Sequence, residues 1–160
     1  YISSALLWGD VQSRNSIMFD QQSWDSTWQD TIKAGFNPAL ASYNNIQYPL
    51  DVKNAGALTE RWVIIFDNAT NFRLIGEHLG QIATGNTSTD LAPMNPIAGV
   101  PYFTMNKLGW NTGWASGNIV RFNTIGATPP AWIVRTVQQG PETVINDKFS
   151  TLTRGDIDRP

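Results

Sequence analysis

The run Trp62-Val-Ile-Ile-Phe66 is halted by Asp67-Asn68 and answered a turn's length later by Phe72-Arg-Leu-Ile75, and this stretch decides the fold class. Valine, isoleucine and aromatic side chains fit the pleated, half-buried surface of a sheet, while β-branching costs rotamer freedom in a helix. Asp and Asn favour a turn because their short side chains bond the backbone two residues on. Two apolar runs divided in this way predict an antiparallel β-hairpin.

The same signal repeats outward from that hairpin. Leu79 to Ala83 predicts a further short strand before a polar turn at Thr84 to Asp90. Four more strands are predicted at Tyr102 to Met105, Asn118 to Thr124, Trp132 to Val137 and Phe149 to Thr153. The string Ile-Val-Arg recurs after Asn118 and after Trp132, as it would in two similar half-buried strands. Pro93, Pro96, Gly99 and Pro101 place residues 91–101 in a loop, because proline cannot donate to a ladder. Short strands with Gly, Pro and Asn between them, and no long helical period, imply an all-β domain over residues 46–160. An antiparallel β-sandwich or barrel is expected.

Residues 1–45 read as an N-terminal arm packed on that core within one globular unit. Trp24 and Trp28 stand four apart in the polar stretch Asp20 to Thr31, a helix-like spacing that predicts a short helix capped by Ser23 or Asp20. Asn37-Pro38 and Asn44-Asn45 then mark loops.

Composition narrows the function classes. The chain has 160 residues, of which 41% are hydrophobic, enough for one domain with its own core. Only 15% are charged, against about 25% in typical soluble domains. Asn, Gln, Ser and Thr make up the difference and leave a surface that gives up little charge hydration on contact, which suits packing against neighbours. Net charge is −2 and no stretch clusters Lys or Arg, so counterion release has little to act on and no nucleic-acid partner is expected. The apolar runs are too short for a membrane-spanning helix, so no membrane insertion is expected. The absence of Cys removes disulfides, thiolate metal sites and cysteine catalysis together.

Chemistry-bearing residues are few. His78 is the sole histidine, and no Ser sits in a Gly-x-Ser-x-Gly elbow. One His without Cys argues against zinc, and Glu77-His78 between Gly76 and Gly80 reads as a strand-end or turn pair. Glu60, Glu77, Asp20, Asp25, Asp30 and Glu142 show no glycosidase motif and read as solvating or capping groups. Asp156 and Asp158 share a face of an extended segment, but Arg154 and Arg159 offset their charge, so no calcium site is expected. No catalytic residue, metal or cofactor is therefore assigned.

Gly109-Trp110-Asn-Thr-Gly113-Trp114-Ala-Ser-Gly117 is the most unusual stretch. Glycines four apart disfavour a helix by about 1 kcal/mol each. Either the loop exposes Trp110 and Trp114 as a stacking platform for a saccharide, or the indoles insert into the fold and pin the loop.

Several strings resemble segments of tail-module proteins from tailed bacteriophages and prophages. They are Glu60-Arg-Trp-Val-Ile-Ile-Phe66 with Phe72-Arg-Leu-Ile-Gly-Glu77, Ala92-Pro-Met-Asn-Pro96 with Gly99-Val-Pro-Tyr-Phe103, Gly113-Trp-Ala-Ser-Gly-Asn118, Arg121-Phe-Asn-Thr124, Trp132-Ile-Val-Arg-Thr136 and Arg154-Gly-Asp-Ile-Asp-Arg-Pro160. The resemblance implies a non-enzymatic structural component of the virion, at the tail tip or baseplate, assembled in the bacterial cytoplasm. Its implied partners are other tail subunits and copies of itself. A carbohydrate-binding module for host recognition, with glycan as partner, is the alternative expectation.

Overall fold

The computed structural model describes residues 4–7, 12–16, 18–127 and 132–135. The chain divides into two compact units, Gly9–Pro130 and a second made of Tyr1–Trp8 with Ala131–Pro160. In the second unit, β1 (Ser4–Leu7) pairs antiparallel with β10 (Trp132–Arg135), Leu7 opposite Trp132 and Ser4 opposite Arg135. The strand predicted at Phe149 to Thr153 and the Asp156/Asp158 pair lie outside the described residues.

The larger unit is built on one antiparallel sheet of six strands. Its strands are β2 (Arg14–Asn15), β3 (Phe19–Gln21), β4 (Glu60–Phe66), β5 (Asn71–Gly76), β6 (Gly80–Asn86) and β9 (Ile119–Ile125). The meander β4-β5-β6 forms one half, and β9 adds to the free side of β4. The outer side of β9 is shared by β3, with Phe19 opposite Arg121, and β2, with Asn15 opposite Thr124. A two-residue hairpin of β7 (Met94–Asn95) and β8 (Val100–Pro101) stands apart. The protein is all-β and antiparallel.

Register explains the core. Ile64 faces Leu74 and Val120 on the neighbouring strands, Phe66 faces Phe72, and Trp62 faces Phe122. These seven side chains therefore project from one face, and all are at most 1% exposed. Ala41, Tyr43, Leu50, Leu91, Tyr102, Phe103, Met105 and Trp114 close over them. That second layer is irregular chain, not a second regular sheet. Tyr102 to Met105 is accordingly no strand, for Thr104 and Met105 form only single bridges, to Asp51 and Leu91. Residues 91–101 are a loop, as expected, except for the β7–β8 hairpin.

The opposite face carries Val63, Ile119 and Arg121, all nearly inaccessible. It is covered by a strap closed at its base where Gln22 N donates to Asn37 O (2.9 Å). The helix expected over Asp20 to Thr31 is absent: after β3 the backbone there runs through bends. Trp24 and Trp28 do meet, edge to face with centroids 5.1 Å apart, but an irregular loop brings them together. Tertiary anchoring overrides the local spacing. Asn118 Nδ2 donates to Gln22 O, and Arg121 donates to Thr27 O and Gln29 O. Among the described residues, no helix is long and apolar enough to cross a membrane.

Candidate functional site

Trp110 and Trp114 are brought together, centroids 5.7 Å apart and edge to face. Gly113 and Gly117 hold positive φ angles of 109° and 87°, which fold this loop back over the core. Trp114 is 4% exposed and lies stacked on Phe66, while Trp110 packs against Tyr43, Phe66 and Phe72. A sugar-stacking platform needs a bare indole face. Trp114 has none in this conformation, because the core takes it. The burial of Trp114 on Phe66 fits the pinned loop, and Trp110 is partly buried beside it. The indole N–H groups of both residues find no acceptor among the described residues, so ring packing holds them in place. Tyr43 completes the cluster, donating from its phenol to Asn106 O (3.0 Å), and burial pushes that phenol up to about 12.

A second constellation lies at the other end of the sheet and was not legible as a motif. Glu77-His78-Leu79 is the turn that joins β5 to β6, as the flanking glycines suggested. Its backbone is tied to β4, since Glu77 N donates to Arg61 O (2.9 Å). The Glu60 side chain, 3% exposed, reaches into this turn. It accepts from Arg61 N (3.0 Å) and His78 N (3.3 Å), and lies 3.0 Å from His78 Nδ1. If Nδ1 carries the proton, it donates to Glu60 and leaves Nε2 free, an orientation common to metal-binding and proton-accepting histidines.

Around this pair, Arg61 bridges two carboxylates, Glu77 (3.1 Å) and Asp30 (3.2 Å). Asp30 also accepts from Asn123 Nδ2 (2.8 Å), and that bond, with Arg61 beside it, lowers the Asp30 carboxyl below the usual range. A cleft of about 290 Å³ opens here, lined by Glu60, Arg61, Glu77, His78 and Asn123. One oxygen of each glutamate and a ring nitrogen of His78 lie within 4.8 Å of one another. Position in sequence gave no hint that Glu60 joins the turn 18 residues on, for the contact depends on β4–β5 register.

Of the remaining carboxylates, Glu142 lies outside the described residues, and Asp20 and Asp25 differ in their surroundings. Asp25 accepts from Thr27 N (3.1 Å) and from Lys33, and the Lys33 ammonium, with Thr27, holds its carboxyl well below the ordinary range. Asp20 is raised, chiefly by burial. Compared with known proteins, the chain matches no protein-family model and finds no significant counterpart among curated proteins or solved structures.

Proposed function

We propose that this protein is a structural, non-enzymatic component of a tailed-phage tail, at the tail tip or baseplate, working through protein–protein assembly. The observation that carries this reading is a set of large apolar side chains held in solvent on a charge-poor chain. Ile46 is 97% exposed and Leu40 is 91% exposed. Leu108 sits beside Gly109, whose carbonyl accepts from Asn44 N, two residues before Ile46 (2.8 Å). The Leu40, Ile46 and Leu108 segments are thus laced together around the Tyr43–Trp110 bridge. Large apolar side chains left in solvent on these linked segments offer area for a partner to cover. The sequence resemblance to tail-module proteins supplies the setting, and the low charge fits contacts that cost little desolvation.

Immunogold labelling of particles released by a bacterium carrying this sequence tests the setting. Gold on the tail tip is the expected result, and label confined to free protein or capsids overturns it. Light scattering across a range of concentrations then measures self-association. The triple variant Leu40→Asp, Ile46→Asp, Leu108→Asp is expected to shift association toward monomer while leaving the folded core intact.

A further inference from the structure

We infer that the cleft at the β5–β6 turn binds a divalent transition cation of the zinc type, through one oxygen each of Glu60 and Glu77 and a ring nitrogen of His78. The site is separate from the assembly reading and does not depend on it.

Three features converge. The ligand atoms already lie within 4.8 Å of one another, so side-chain rotation alone brings them toward a shell of about 2 Å around one ion. Glu60 provides the second, independent feature. Its carboxylate is 3% exposed, and among the described residues its one ionic partner is an imidazole that is a cation only when protonated. A buried carboxylate is costly unless a charge or a metal compensates it, and backbone N–H groups supply dipoles without net charge. The third feature is access, since the cleft of about 290 Å³ gives an ion a route in and leaves room for a water as fourth ligand.

Arg61 is the competitor, holding Glu77 at 3.1 Å. It also holds Asp30, so its guanidinium keeps a carboxylate when Glu77 turns to the metal. Counting one His and no Cys pointed away from zinc. The count missed that two glutamates from different segments complete a three-ligand set with an open position, as catalytic zinc sites have.

The sole histidine makes the test clean. Zn²⁺ is titrated into the full chain in competition with a chromophoric chelator, and the imidazole resonances are followed by NMR. One tight equivalent is expected, with the His78 ring signals moving in step, and His78→Ala and Glu77→Gln are expected to weaken binding by about tenfold or more. Both substitutions sit in a solvent-facing turn, so folding is checked directly by the unchanged amide spectrum of the sheet. Imidazole signals that stay still on adding Zn²⁺, or variants that bind as tightly as the parent chain, overturn the site.

Discussion

The indole of Trp114 lies parallel to the ring of Phe66, centroids 4.3 Å apart and planes inclined by 3°. The loop glycines aim Trp114 at the sheet, and Phe66 sits at the end of β4 where the sheet face would otherwise be open. Trp114→Ala is expected to destabilise the protein by about 3–5 kcal/mol, because it removes a ring and leaves a cavity. Urea unfolding measures this, and a loss under about 1 kcal/mol contradicts a core role.

Gly109 marks the other close approach in this region. A Cβ added there would lie 2.4 Å from the Tyr43 ring. Gly109→Ala is expected to cost about 1–3 kcal/mol through overpacking, and the companion change Tyr43→Leu should relieve part of it. A double-mutant cycle on thermal unfolding checks the coupling.

Tyr43 also links stability to alkaline pH. Burial raises its phenol from 10.0 to about 12, so the folded chain keeps a proton that the unfolded chain has released. This contribution is complete below about pH 10 and is lost as pH climbs toward 12. Urea midpoints between pH 9 and pH 12 are expected to fall more steeply for the parent chain than for Tyr43→Phe. Equal slopes would remove Tyr43 as the cause.

Arg121 fastens the strap to the sheet. Its guanidinium is 4.8 Å from the Trp28 ring centroid and donates to the carbonyls of Trp62, Thr27 and Gln29. Burial lowers its pKa, yet a guanidinium stays charged at any working pH. Arg121→Lys cannot reproduce the fork and is expected to cost about 1–3 kcal/mol. Amides of residues 22–37 should then exchange faster, while those of β4 and β5 keep their protection. Uniform acceleration across the sheet would show that Arg121 supports the core and not the strap.

The hairpin and β9 were legible because β-branched and aromatic runs state their period locally. Trp24 and Trp28 misled because a spacing of four brings two rings together on a helix, and a bent strap can do the same. Tyr102 to Met105 has strand composition, but its partners Asp51 and Leu91 each offer a single bridge. Arg121 was invisible as a buried residue, since a charged side chain in a strand ordinarily marks the solvent face. The Glu60–His78 contact is a product of hairpin register, which composition does not carry.

The pairing pattern also fixes an order of events during synthesis. Thr27 leaves the ribosome 94 residues ahead of Arg121, the side chain that holds it. The strands β2 and β3 likewise wait for β9, while β4, β5 and β6 can zip as neighbours as soon as they emerge. Closing such long loops precedes any reward from the contacts they bring, so non-local pairing is slow. The three-stranded meander can pair before β9 is made, whereas β2 and β3 can pair only after it.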